Sequence, residues 1–306
     1  MSLSRSAEAA ADPFSEVLAA LGTRSVRGTG LEAEGDWALS FDGRGRLKFV
    51  ALTSGGCWLL LPNRPPEAMN EGDVFLLSNT RYAVASDPAV EPVDGMALYA
   101  APGHDVVRLG TGRETVMIGG GSGFADGCAP FVLDALPPFL RIDSTSPNAE
   151  TIALTIAALH REVRSDGVGR ALVAERLAEI LVVEAVRAYV ASRPAENVGW
   201  IAALGDERIA RAIGLMHGDV ARRWTVPSLA REVGMSRSAF AQRFSRRVGQ
   251  PPLDYLTRWR MLLAQRKLAA GAPVAAIAAS VGYESQSAFA HAFKRTTGRT
   301  PRDRRS

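Results

Sequence analysis

The chain has 306 residues, an apolar share of 47%, two cysteines and a formal net charge of +4. That length accommodates two domains with separate cores, and the composition excludes wholesale disorder. No run approaches the roughly 18 uncharged apolar residues of a membrane span, the opening MSLSRSAEAAADPF lacks the apolar stretch of a secretory signal, and two cysteines suit a reducing cytoplasm better than a disulfide scaffold.

From about residue 13 to 140 the chain reads as short strands. Segments such as WALSF, RLKFVALTSG, CWLLLP, DVFLLS and YAVAS alternate with Gly, Pro, Asn and Asp turns. This pattern predicts an antiparallel β-sandwich or small barrel. A metal-binding barrel would need several inward His and carboxylate ligands. Of the four histidines only His104 lies here, and Val50 and Tyr82–Ala83 stand in strand regions where a ligand would be sought. The expectation is no metal, no cofactor and no catalytic residue. The run IGGGSGFADG, residues 118–127, lacks the strand–loop–helix setting and the Lys of a phosphate loop and reads as a flexible loop between strands. Cys57 sits in an apolar strand and Cys128 beside a Gly-rich turn. They read as two ordinary thiols, with a redox switch as the alternative should either carry an exposed, activated thiolate.

Residues about 147–192 read as two helices, NAETIALTIAALHREV and GRALVAERLAEILVVEAVRAYVAS. The second spreads apolar residues around most of its circumference, so it is buried on several sides, either in a domain core or in a dimer seam. SRPAENVGW, residues 192–200, reads as a linker. These elements set the domains at 13–192 and 206–306, an α+β chain with a helical connector and an all-α C-terminal part.

Charge divides the chain along the same line. Residues 206–306 hold nineteen Lys and Arg against seven Asp and Glu, which leaves the remainder with a surplus of eight negative charges. A basic compact domain beside an acidic one points to a polyanion, nucleic acid first.

That basic part repeats itself. VGMSRSAFAQRFSRRVGQPP, residues 233–252, returns as VGYESQSAFAHAFKRTTGRTP, residues 281–301. Each copy reads as helix, turn and helix. In the first, Leu229, Ala230 and Val233 share one face and Thr225 caps the start; Gly234 makes the turn, Ser236 caps the second helix, and Phe240 and Phe244 pin it. In the second, Val274, Ile277, Ala278 and Val281 are the buried set, Gly282 the turn, Ser285 the cap, and Phe289 and Phe293 the anchors. The offset changes from 48 to 49 within the turn, so one residue is inserted there. Between them PLDYLTRWRMLLAQRKLAAG places Leu253, Leu256, Trp259 and Leu263 on one arc, a linker helix packed against both units. Two helix-turn-helix units held on one strut can enter successive major-groove segments about 34 Å apart. Arg237, Arg243, Arg246, Arg247, Lys294 and Arg295 then serve as phosphate contacts, which set affinity rather than sequence.

With LAREVGMSRSAFAQRFSRRVGQPPLDYLTRWRMLLAQRKL and IAASVGYESQSAFAHAFKRTTGRTP, residues about 206–306 resemble the DNA-binding domain of AraC/XylS-family transcription regulators. The G-Y-E-S start, F-x-x-x-F-K middle and closing G-x-x-P of the second stretch are specific to that family. Pro273 departs from the usual Ser, Thr or Asp cap and leaves the second unit less firmly capped. The ending RTPRDRRS departs from the common P-x-x-Y-R. DPFSEVL, GDWALSF, GGCWLLLP, EGDVFLL and LDALPPFLRI resemble the cupin-like sensor domain joined to a subgroup of these regulators.

The resemblance implies that Ser238, Ala241 and Gln242 face bases, with Gln286, Ser287, Ala290 and His291 in those places in the second unit. Gln is able to pair with adenine through two hydrogen bonds, and an Ala methyl to touch a thymine methyl. It further implies a cytoplasmic regulator of double-stranded DNA, homodimeric through the 147–192 region, responsive to an unidentified small-molecule or chemical signal, working with RNA polymerase, and an activator by family tendency. The rival readings are a cupin-type enzyme with a basic tail, a redox sensor using Cys57 and Cys128, and a DNA-packaging protein indifferent to sequence.

Overall fold

The computed structural model describes residues 12–21, 24–100, 105–124, 128–142, 146, 148–192 and 198–303. They fall into two units, one built on strands and one on helices. The chain begins with α1 (Pro13–Leu21), which groups with the C-terminal helices. Strands from about residue 13 are therefore a misreading. Phe14, Val17 and Ala20 are buried at helical spacing, and the Asp12 carboxylate accepts hydrogen bonds from the Phe14 and Ser15 amides.

β1 (Arg24–Ala33), β2 (Ala38–Asp42), β3 (Arg46–Ser54), β4 (Gly56–Leu60), β5 (Glu67–Asn70), β6 (Val74–Ser78) and β7 (Arg81–Ala85) follow one another closely. β8 (Val93–Asp94), α2 (Gly95–Leu98), β9 (Val106–Leu109), β10 (Thr115–Gly123), α3 (Ala129–Leu133) and β11 (Phe139–Ile142) complete the strand region. One sheet runs β11-β6-β3-β10-β1-β9 and the other β5-β4-β7-β2-β8. Their inner faces enclose a core of Leu31, Leu39, Val50, Leu52, Leu59, Phe75, Val84 and Met117 among others. The sandwich is as expected, with a correction: β9 runs parallel to β1, and β8 parallel to β2. The members of each parallel pair are separated by several other strands along the chain, so no tight hairpin, which would make them antiparallel, joins them.

The glycine run is a second correction. Residues 118–123 lie inside β10, paired with β1 on one side and β3 on the other. Glycine is a poor strand former in isolation, but two flanking strands satisfy its backbone here.

α4 (Ala149–Arg164) and α5 (Arg170–Ala191) pack on each other and on β1. α4 buries Ile152, Ile156, Leu159 and Val163, and α5 buries Leu181, Val182, Val186 and Tyr189. A Cβ at Gly28 of β1 would lie 3.0 Å from Val163 Cγ2, so glycine lets this helix approach closely. Leu154, Leu172, Val173 and Ile180 remain exposed on these helices.

Glu32 joins the sheet to α4. Only 2% exposed, its side chain meets Arg108 Nε at 3.1 Å, Arg113 Nε at 3.0 Å and the Arg164 guanidinium. Burial alone would raise its pKa. The Arg108 hydrogen bond and the Arg164 and Arg113 charges outweigh that and hold the carboxyl below its ordinary 4.5.

The helical unit comprises α1, residues 128–131 and the segment from 198 onward. That segment contains α6 (Trp200–Ala203), α7 (Glu207–Gly218), α8 (Val226–Glu232), α9 (Arg237–Val248), α10 (Pro252–Ala269), α11 (Val274–Ser280) and α12 (Gln286–Thr297). At its centre the buried His217 ring stacks on Trp259 at 4.1 Å, with Nε2 2.8 Å from the Tyr255 hydroxyl and Nδ1 3.2 Å from Glu16 of α1.

Replacing Glu32 with Gln removes a charge from beneath three arginines that are partly solvated. A loss of about 1–3 kcal/mol is expected near neutral pH. Because the folded pKa is depressed, this contribution is complete above pH 4.5 and fades as pH falls through the lower folded value. Thermal melts of Glu32→Gln and parent between pH 7 and strongly acid conditions should therefore converge on the acid side.

Candidate nucleic-acid interface

The two repeats close their turns in the same way. Met235 N donates to Ala230 O at 2.9 Å and Gly234 N to Arg231 O at 3.1 Å; Tyr283 N donates to Ala278 O at 2.9 Å and Gly282 N to Ala279 O at 3.1 Å. Gly234 and Gly282 both adopt positive φ, +65° and +81°. This left-handed residue after a short helix satisfies carbonyls that would otherwise be orphaned. The inserted residue is Glu284, placed between the closed turn and the Ser285 cap, and its carboxylate meets Arg223 at 2.5 Å in solvent.

Caps then start the second helices. Ser236 accepts from Ala239 N and Ser285 from Ala288 N, as the sequence predicts. The first helices differ. Thr225 and Ser228 cap α8 reciprocally, whereas Pro273 offers α11 no side-chain hydrogen bond. Phe240 and Phe244 are buried with ring centroids 5.6 Å apart, and Phe289 and Phe293 repeat the spacing at 5.6 Å. The linker α10 has 18 residues, about 27 Å at 1.5 Å per residue. It is buried on more sides than a single arc: Tyr255, Leu256, Trp259, Met261, Leu262 and Ala264 are all covered. Leu253, expected inside, is 39% exposed, although Pro252 and Tyr255 on either side of it are buried.

With one face pinned, the opposite face of each second helix meets solvent. Arg237, Ser238 and Gln242 are exposed on α9 and Ala241 is half-buried; on α12 Gln286, Ser287 and His291 are exposed and Ala290 half-buried. The side chains of Arg237, Arg246, Lys294 and Arg295 make no hydrogen bond or ion pair among the described residues. Arg243 and Arg247 behave differently. Arg243 Nε donates to Asp206 Oδ2 at 2.6 Å, and Arg247 Nε lies 3.8 Å from the same oxygen. Asp206 is buried and caps α7 through the Ile209 amide. These two arginines tie α9 to the start of α7 while their side chains stay partly exposed. The partner lies 37 and 41 positions away, beyond any local pattern.

The remaining candidates lie in other places. His104 is outside the described residues. Among the described residues no group of three or more His, Cys, Asp or Glu is placed to hold a metal ion. Cys57 is buried in the barrel core, its Sγ 3.8 Å from Met69 Sδ, and burial pushes its thiol up to about 12. Cys128 is buried as well. A sensing thiolate needs exposure and a lowered pKa, so the geometry speaks against the redox reading of Cys57. Between the two sheets of the strand unit lies a cavity of about 350 Å³, bounded by Phe41, Val50, Tyr82, Val84 and the β10 glycines. Val50 and Tyr82, flagged as barrel positions, line it without offering a metal ligand.

Two family models match. A cupin model covers residues 12–191, and a helix-turn-helix domain model covers residues 229–306. A protein of Streptomyces lividans named as an AraC-like transcription regulator is 41% identical over 297 residues, 96% of this chain and 98% of its own length. The RCS-specific HTH-type transcriptional activator RclR of Escherichia coli K12 is 30% identical over 273 residues, 87% of each chain. Among solved structures, the DNA-binding domain of AdpA in complex with a target DNA is 31% identical, covers 30% of this chain and 84% of its own, and has a TM-score of 0.29.

The turn glycines make a sharp contrast. A Cβ at Gly234 would meet nothing within 4 Å, whereas at Gly282 it would lie 2.6 Å from Ala221 O and 2.7 Å from Arg260 Nη2. Gly234→Ala should cost about 1–2 kcal/mol from its positive φ alone. Gly282→Ala carries the same strain and the backbone collision, so about 3 kcal/mol or more is expected. Urea unfolding midpoints of the two variants check the order; equal losses would contradict it.

Proposed function

Because the chain belongs to the AraC family of transcription regulators, with a cupin domain followed by a helix-turn-helix domain, we propose that it reads a bipartite operator with α9 and α12 in successive major-groove segments. Ser238, Ala241 and Gln242 contact bases in one segment, and Gln286, Ser287, Ala290 and His291 in the other. Arg237, Arg243, Arg246, Arg247, Lys294 and Arg295 hold phosphates. The observation that carries this reading is the duplication itself: two units with identical turn closure, each exposing a short polar face beside unpaired cations. Sequence-indifferent packaging needs the cations but not the shared, capped geometry.

The strand unit acts as the sensor. A small molecule seated in its cavity favours one conformation over another and so changes how the readers are presented. The chain works as a homodimer, supported by the exposed Leu154, Leu172, Val173 and Ile180 on α4 and α5, and it activates transcription through contact with RNA polymerase. Its place of action is the cytoplasm. No described helix is long and apolar enough to cross a membrane. The relatives are regulators, and no residue is assigned a catalytic role.

Operator fragments selected from genomic DNA, followed by anisotropy titrations on base-substituted versions, test the assignment. Gln242→Ala should relax discrimination at one position by about 1–3 kcal/mol while other positions hold. Arg237→Ala should weaken every sequence alike and lower the salt slope by about one. Uniform weakening by Gln242→Ala would remove that residue from base reading.

A further inference from the structure

The glycines of β10 do two things at once. Their backbone completes the sheet between β1 and β3, and their missing side chains leave room inside it. Gly119 faces Val50 and Thr29 across the ladders, and Gly121 faces Lys48. A Cβ at Gly119 has 3.3 Å to the nearest atom, the Phe49 carbonyl oxygen, whereas a Cβ at Gly121 would collide with the Lys48 side chain. Lys48 therefore lies across the Gly121 backbone at the edge of the 350 Å³ cavity. The opposite wall supplies Phe41 and Tyr82, whose rings stack at 5.2 Å, with Val84 beside them.

The charge of this cavity is one-sided. Among the described residues Arg46 and Lys48 line it, and no Asp or Glu does. Among the described residues the Lys48 ammonium has neither a hydrogen bond nor an ion pair, and burial, with the nearby Arg46 charge, lowers its pKa. The Tyr82 side chain is largely buried, and its hydroxyl also lacks a hydrogen-bond partner among the described residues. Tyr99 is already engaged, donating to Gly30 O at 3.0 Å. A half-buried cation and an unengaged hydroxyl thus line the same cavity, and an anion would accept from both. Arg46 is exposed at the rim, so a single inner cation faces the bound group; this suits a monoanion better than a phosphate dianion.

We propose that the cavity takes a small monocarboxylate with an apolar body. Its carboxylate accepts from Lys48 Nζ and the Tyr82 hydroxyl, and its body lies against Phe41, Val50 and Val84 in the space left by Gly119. This rests on the reading of the strand unit as the sensor and adds the chemical class of the signal.

The test is calorimetric titration of the full-length protein with phenylacetate and hexanoate, each beside its neutral amide. At least one acid should bind about 10- to 100-fold more tightly than its amide. Lys48→Met should erase that preference, with thermal melts reporting that the fold is kept. Gly119→Leu, which fills the space, should abolish binding of acid and amide alike; if it does not fold, Lys48→Met carries the test alone. Equal affinity for acid and amide, undiminished acid binding by Lys48→Met, or no binding of either acid overturns the proposal. Operator selection by the same preparations keeps the outcomes apart: if it survives any of these results, only the ligand class falls, and if it is missing from the parent protein the regulator reading itself fails.

Discussion

Four phenylalanines decide which way this protein reads. Phe240, Phe244, Phe289 and Phe293 are buried one helical turn apart on α9 and α12. Exposing any of them would forfeit about 1.5–3 kcal/mol of apolar burial. That cost fixes the rotation of each helix about its own axis. Once the aromatic face is inside, the residues half a turn away have only solvent, or DNA, to meet. The Gln, Ser, Ala and His side chains proposed to read bases lie on that outward face, and their presentation is a consequence of aromatic burial. α10 converts two such rotations into one object, because it is covered on several sides and packs against α9, α11 and α12.

The strand unit obeys a complementary constraint, one of omission. Where side chains fill the space between the sheets, as at Leu52, Leu59, Met69 and Met117, there is core. Where β10 supplies glycine, there is a cavity. A glycine of β1 does the same on the outer face, where Gly28 admits Val163 and Leu159 of α4. The buried Glu32 then holds the sheet to α4 electrostatically, with three arginines drawn from β9, the segment before β10, and α4 itself.

Much of this was legible in the sequence because it is local. Caps such as Thr225, Ser236 and Ser285, turn glycines, and aromatic pairs at i and i+4 are short-range devices, and the chain carries them twice. Even the weak start of α11 at Pro273 could be read. What escaped depends on distant partners. The glycine run looked like a loop because nothing in it announces the two strands that make it a strand. The helix at Pro13–Leu21 was absorbed into the strands because its helical apolar spacing is brief and its burial is completed by α7 and α10. Arg243 and Arg247 looked like surface cations until Asp206 was found beneath them. Leu253 shared an arc with buried neighbours, yet the covered face of the first turn of α10 is that of Pro252, Tyr255 and Leu256.

The central claim is that two helices, held on one strut, meet one face of a duplex. Hydroxyl-radical footprinting of the protein on its selected operator tests this most directly. Two protected windows about one helical turn, or 10–10.5 base pairs, apart on the same face for each bound chain are expected. A single window per chain, or two on opposite faces, would contradict the account.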